Sequence, residues 1–289
     1  MNGVINLLKP PGMTSSGAVV FLRRLLGEKK VGHTGTLDPG AAGVLPICVG
    51  RCTRLSDYMM DHEKEYLAEV AFGVGTDTLD SYGRVTARQE CQVSREQLQA
   101  ALPRFLGEIW QTPPAYSAVK IDGRKSYELA RKGVAVQKPP RRVTVYAIAI
   151  EGQNGENRFF LRVRCSKGTY IRTLASDLGE ALGVPAALAF LLRVRTGGFA
   201  LGESVTIDEI KERAGRGDFS FVQSPEAALA ELEEVREESP RARFALEHGQ
   251  VVPWEGTPRE GLFRVYSNGE LFGVGKPCQG GYKLHIPLY

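Results

Sequence analysis

"VGHTGTLDPGAAGVLPICVG", Val31–Gly50, is the least ordinary stretch of the 289-residue chain. It is rich in glycine, carries one histidine and one aspartate, and becomes regular only in the apolar run Val44–Val49. A P-loop needs G-x4-G-K-[ST], and no Lys-Ser or Lys-Thr follows these glycines. A dinucleotide fingerprint needs G-x-G-x-x-G after a strand, and that spacing is absent. A plain turn accounts for Asp38-Pro39-Gly40, because Asp-Pro starts turns and glycine supplies positive φ. It leaves Gly32, His33, Thr34 and Gly35 unexplained. Close approach of a ligand to the backbone calls for such small residues, so the stretch reads as a loop presenting Asp38 at the mouth of a strand. Pro39 biases Asp38 away from helical backbone angles.

The flanks supply the elements that hold this loop. "TSSGAVVFLRRLLGEKK" predicts a helix, capped by Thr14, Ser15 or Ser16, with Val19, Leu22, Leu25 and Leu26 at helical spacing. "KEYLAEVAFGVGT" predicts a strand with Tyr66, Ala68, Val70 and Phe72 on one face. "SREQLQAALPRFLG" opens with a capping box, Ser94 and Gln97, and ends at or soon after Pro103. Asn154-Gly155 splits "RRVTVYAIAIEGQNGENRFFLRVRC" into a hairpin. "KGTYIRTLASDLGEALG" follows as a helix that stops at Gly183. "TIDEIKERA" and "PEAALAELEEVREE" read as helices, the second with Pro225 in its first turn. A second Asn-Gly hairpin in "GLFRVYSNGELFGVG" and a strand in "YKLHIPLY" put a boundary near residue 240, with a small β domain after it.

At 43% apolar and 24% charged residues, the composition is that of a globular protein. No apolar run approaches the roughly 20 residues of a membrane span, and the N-terminus lacks the pattern of a secretory signal; a cytoplasmic protein is expected. Of the five cysteines only Cys48 and Cys52 are close, as C-x3-C, with no second pair to complete a metal site. His33, His62, His248 and His285 form no ligand motif, and a G-x-S-x-G elbow is absent. A glycosidase-like carboxylate pair stays open on spacing alone. Residues 1–200 hold 27 Lys and Arg against 18 Asp and Glu, whereas residues 201–240 hold 4 against 11. A basic body followed by an acidic stretch points to a polyanionic partner. Segment 115–142 is the densest part, with Lys120, Arg124, Lys125, Arg131, Lys132, Lys138, Arg141 and Arg142 against Asp122 and Glu128. Tyr116 and Tyr127 are interleaved with them, a composition suited to nucleic acid.

"GHTGTLDPGAAGVLP" resembles the signature of the TruB-type pseudouridine synthases, bacterial enzymes that modify uridine 55 in the T loop of tRNA. "NLLKPPGMTS", "KEYLAEVAFGVGTDTLDSYG", "PPAYSAVKIDGRKSYELARKG" and "CSKGTYIRTLASDLGEALG" resemble further motifs of that family, in the family's order, over most of residues 4–200. The resemblance implies an α+β pseudouridine-synthase fold, a mixed, largely antiparallel central sheet flanked by helices and loops. It implies a catalytic domain over 1–240 and a small, reduced PUA-like RNA-binding β domain over 241–289. Segment 115–142 corresponds to an inserted loop that grips tRNA, here through Lys120, Arg124, Lys125, Arg141 and Arg142. Asp38 corresponds to the catalytic aspartate, Tyr66 to the active-site tyrosine, Tyr170 and Arg172 to the pair in "GTYIRT", and His33 to a residue near the RNA. The family's active-site leucine falls on Leu191 or, one place on, Leu192.

The implied reaction breaks the N1–C1′ bond of uridine, turns the base and joins C5 to C1′. As an isomerisation it calls for no cofactor or metal. It does call for an ionised carboxylate, and an arginine beside Asp38 would keep it so. Attack by Asp38 on C1′, attack on the ring, and elimination are all compatible with the sequence. A T-loop uridine is stacked or paired, so the base must be flipped out. His33 then fills the gap, Tyr66 stacks on the base, and Leu191 walls the site from water. The expected partner is tRNA, without a membrane or an obligatory protein partner, for a monomeric enzyme. A tRNA-binding or tRNA-folding module with secondary catalysis also fits the basic segment. The Asp38, Tyr66 and Arg172 set favours the enzyme.

Overall fold

The computed structural model describes residues 1–114, 138–254 and 257–289, and the backbone alone of 120–121 and 124–125. Tyr116, Asp122, Tyr127, Glu128, Arg131 and Lys132 lie outside the described residues, as do the side chains of Lys120, Arg124 and Lys125.

Strand β1 (Gly3–Lys9) leads into helix α1 (Ser15–Leu26), whose cap is Thr14, with its hydroxyl accepting from Gly17 N. Then come β2 (Val31–His33), β3 (Ala42–Val49), a 3₁₀ segment (Gly50–Leu55) and α2 (Ser56–Asp61). They are followed by β4 (Lys64–Phe72), the small ribbon β5 (Val74–Thr76) and β6 (Val85–Arg88), α3 (Arg95–Ala101) and β7 (Gly107–Gln111). Short strands β8 (Lys120–Ile121) and β9 (Arg124–Lys125) pair with each other. The long hairpin β10 (Arg141–Gln153) and β11 (Arg158–Cys165) turns at Gly155, which has φ 76°. Helix α4 (Ile171–Ala181), β12 (Ala186–Thr196), β13 (Phe199–Ala200) and α5 (Ile207–Gly215) complete the larger part.

Among the described residues the main sheet runs β1-β3-β12-β4-β11-β10-β7, with β2 on β3 and β13 on β12. Every pairing is antiparallel except β12 with β3, so the sheet is mixed and largely antiparallel. Tyr66, Ala68, Val70 and Phe72 are buried on one face of β4, as their alternation requires. Val19 and Leu22 of α1 and Leu174 and Leu178 of α4 share their core. Both helices thus cover the same face as Tyr66, and their N-termini frame the loop between β2 and β3.

The acidic region departs from expectation. The first predicted helix is α5, but "PEAALAELEEVREE" is not helical along its length. It forms a 3₁₀ turn, Pro225–Leu229, and then strand β14 (Glu234–Glu237). Ala228 and Leu229 are drawn into a second core with Val4, Val44 and Cys48, and β14 pairs in parallel with β15 (Phe263–Ser267). Tertiary pairing overrides the helix propensity of glutamate and alanine here. With α6 (Pro240–Glu247), β16 (Glu270–Cys278) and β17 (Gly281–Pro287), the small four-stranded sheet therefore begins ahead of residue 240. Val274 and Leu288 pack it onto β1 and β3.

Cys48 and Cys52 are free, buried thiols, pushed up to about 12 by burial. No helix among the described residues is long and apolar enough to cross a membrane.

Candidate active site

The loop between β2 and β3 is bonded carbonyl by carbonyl. Arg193 donates from Nη2 to Gly35 O at 3.2 Å and from Nη1 to Thr36 O at 3.5 Å. Ser15 Oγ donates to Leu37 O at 3.0 Å and accepts from Leu37 N at 2.9 Å. Asp38 O accepts from Ala41 N at 3.1 Å, and Pro39 O accepts from Gly12 N at 2.8 Å and Lys9 Nζ at 3.4 Å. With its carbonyls from Gly35 to Pro39 each bonded, the loop is held without needing regular structure. Gly40 in this loop and Gly43, just inside β3, are small because the protein itself crowds them. A Cβ on Gly40 would run into the Tyr82 ring, and one on Gly43 (φ 119°) into the Arg193 backbone.

Out of this frame comes the Asp38 carboxylate, 38% exposed, with Arg172 Nε 3.0 Å from Oδ2. Arg172, 5% exposed, is delivered by the first turn of α4 and is shared with Asp80, whose Oδ2 lies 3.5 Å from Nη1. Arg172 also donates to Thr78 O at 3.2 Å. Asp80 is fixed in turn by the Thr78 hydroxyl at 2.6 Å and by Tyr82 N at 3.0 Å. Burial pushes the Asp38 carboxyl up; Arg172 opposes that, Asp80 adds to it, and Lys9 opposes it. The arginine is thus placed to keep a half-exposed carboxylate ionised against its surroundings.

Tyr66 is 8% exposed on the inner face of β4. Burial pushes its hydroxyl up, while the hydrogen bond and charge of Arg193 oppose this, and the Asp38 charge raises it further. Leu191 lies across from Ala68, and Arg193 across from Tyr66. Leu191 is therefore the leucine on this wall; Leu192 pairs with Leu67 on the alternate phase and also meets Ala42 of β3. Tyr170 caps α4, its backbone clasped by the Gln111 amide at 2.9 and 3.2 Å. The guanidinium of Arg141 lies 4.5 Å over its ring and bonds to Gly168 O. His33 is half-buried at the end of β2, with Nδ1 accepting a long bond from Gly35 N at 3.4 Å.

Arg142 is not brought to this site. Alternation along β10 turns it to the other face of the sheet, where it pairs with Glu108 at 3.2 Å opposite Trp110. Sequence reasoning assigned no role to Lys9, Asp80 or Arg193. Lys9 and Arg193 are buried cations bonded mainly to carbonyls, and burial pulls Lys9 down to about 8, with Arg193 adding to this. A charged residue ending the apolar run "VINLLK", or inside "LAFLLRV", was the available signal. Among the described residues, no group of three or more His, Cys, Asp or Glu is arranged to hold a metal.

The sequence model of the TruB family pseudouridylate synthase (N terminal domain) matches residues 23–171. The chain belongs to the TruB family. Two further models of the family's C-terminal parts match residues 172–235 and 239–282. The chain is 43% identical over 281 residues to the tRNA pseudouridine synthase B of Caldanaerobacter subterraneus, covering 95% of each. It is 48% identical over 256 residues to that of Symbiobacterium thermophilum, covering 88% of this chain and 83% of the relative. In three dimensions it is similar to the archaeal box H/ACA sRNP Nop10–Cbf5 complex, with TM-score 0.74, 26% identity, and 99% and 86% of the two chains covered. It also resembles an H/ACA RNP bound to a substrate RNA containing 2′-deoxyuridine, with TM-score 0.70, 27% identity, and 95% and 77% covered. This TruB-family chain is a pseudouridine synthase, an isomerase.

Proposed function

We propose that this TruB-family enzyme converts uridine 55 in the T loop of tRNA to pseudouridine, with the base flipped into the cleft and Asp38 as the essential carboxylate. The observation that carries the reading is the Arg172–Asp38 pair at 3.0 Å on a loop whose carbonyls from Gly35 to Pro39 are each hydrogen-bonded. Preorganised charge of this kind acts on a reacting centre without reorganising during the step.

The N1–C1′ bond breaks, the base turns, and C5 bonds to C1′. The proton leaves C5, and N1 ends protonated, so no electrons enter or leave. Asp38 acts as nucleophile or stabilises positive charge at the sugar. Tyr66 stacks on the extruded base, Leu191 excludes water, and His33 fills the space the base leaves. Tyr170 and the Arg141 guanidinium form the wall beside Arg172.

We assign catalysis to the main-sheet part ahead of β14, RNA gripping to segment 115–142 and further RNA contact to the small C-terminal β domain that β14 opens. Support for the last comes from Lys276 and Lys283, which face each other across β16 and β17 and are both exposed. Like charges directly opposed disfavour the sheet unless an anion covers them. The enzyme acts on tRNA alone. Its 43–48% identity to enzymes named tRNA pseudouridine synthase B, against 26–27% to the RNP structures, favours that over guidance by a second RNA.

The test is to incubate the purified chain with an unmodified tRNA transcript and map pseudouridine by position. The reading expects conversion at position 55 without added RNA, protein or metal. Conversion elsewhere, or none, contradicts it.

A further inference from the structure

Arg193 is 1% exposed, yet among the described residues no carboxylate pairs with it. It sits near two other buried cations, Lys9 and Lys64, each lowered to about 8 by burial first and by Arg193 next. An arginine in such surroundings cannot shed its proton, and an uncompensated buried charge is costly. What it gains is a fork of donors used in two directions. One side holds the carbonyls of Gly35, Thr36 and, at 2.7 Å, Val44, so it spans both ends of the Asp38 loop. The other side faces Tyr66, which stands directly opposite on β4 and whose hydroxyl feels the Arg193 charge.

We infer that Arg193 is a positioning residue that locks the Tyr66 hydroxyl to the loop carrying Asp38. The Tyr66 ring and the Asp38 loop therefore keep one spacing whether or not a base lies between them. A lysine keeps the charge but has no planar fork, so it cannot hold both sides. The inference rests on the assignment of Tyr66 to the site under Proposed function.

The test is a double-mutant cycle on the full-length enzyme with a tRNA transcript, comparing wild type, Arg193→Lys, Tyr66→Phe and the double variant. Single-turnover rate and tRNA affinity are read separately, and Asp38→Asn runs in parallel. Arg193→Lys is expected to fold, to bind tRNA within about threefold of wild type and to react roughly 10–100-fold more slowly. In the Tyr66→Phe background the same change is expected to cost at least fivefold less, because the hydroxyl it positions is gone. Rate losses that multiply in the double variant overturn the inference, as does an unchanged rate in Arg193→Lys. Arg193→Gln serves as a second neutral variant. Failure of both Arg193 variants to fold makes the residue a scaffold only and also overturns the inference. Activity surviving in Asp38→Asn contradicts the proposed role of Asp38 and leaves the Arg193–Tyr66 coupling to be judged on its own cycle.

Discussion

Arg172 holds Asp38 at 3.0 Å and Asp80 at 3.5 Å, so one buried guanidinium is shared between two carboxylates of unlike exposure. Asp38, at 38%, is the more open of the two. The arrangement sets the ionisation of Asp38 from both sides, and its consequences have opposite signs.

On the proposed mechanism activity needs ionised Asp38, and burial followed by the Asp80 charge pushes its carboxyl up against Arg172. The rate is therefore lost as pH falls through a value above the ordinary carboxylate range. Asp80→Asn removes a raising charge and moves this acid limb to lower pH. Arg172→Met removes the largest lowering influence and moves it to higher pH. Profiles of kcat/KM against pH for the three proteins check this; coincident limbs or reversed shifts contradict it.

Gly43 and Gly40 are crowded differently. Gly43 itself has φ 119° and its obstacle is the Arg193 backbone, so Gly43→Ala is expected to cost about 2–4 kcal/mol in denaturant unfolding. At Gly40 it is the ring of Tyr82, 71% exposed and able to swing away. Gly40→Ala is expected to cost about 1 kcal/mol or less, and nothing in a Tyr82→Ala background.

Asp177 on α4 is raised to about 6 by burial, with Glu180 adding to it. A carboxyl whose folded pKa lies above its unfolded value destabilises the fold where it is ionised, and the penalty disappears as pH falls through about 6 toward 4. Asp177→Asn is expected to stabilise the protein by about 1–2 kcal/mol at pH 8 and by nothing near pH 3. Paired urea melts at the two pH values measure this.

Lys276 and Lys283 carry the proposed RNA contact of the small sheet. Replacing both by glutamate is expected to weaken tRNA binding roughly tenfold and to reduce the salt slope of log affinity by about 2. The single-turnover rate at saturating enzyme should stay unchanged. An unaltered salt slope argues against contact at these residues.

Where the sequence was legible, local chemistry was decisive. The capping box of Ser94 and Gln97 starts α3, and the Asn268-Gly269 turn has the two positive φ values, 52° and 77°, that its hairpin demands. Asp38, Tyr66 and Arg172 were named through the family resemblance, because they converge from distant parts of the chain and no spacing joins them. Arg193 and Lys9 were passed over since a buried cation bonded to carbonyls leaves no partner residue to find in the sequence. The region 225–238 misled because its glutamates and alanines favour helix, while β15 offered an edge to pair with.

The most direct measurement of the central claim is the release of the C5 proton from labelled uridine in tRNA by Asp38→Asn under single-turnover conditions. The account predicts a rate reduced by roughly 10³-fold or more, with tRNA affinity within about threefold of wild type. Turnover close to wild type in the purified, folded variant would contradict it.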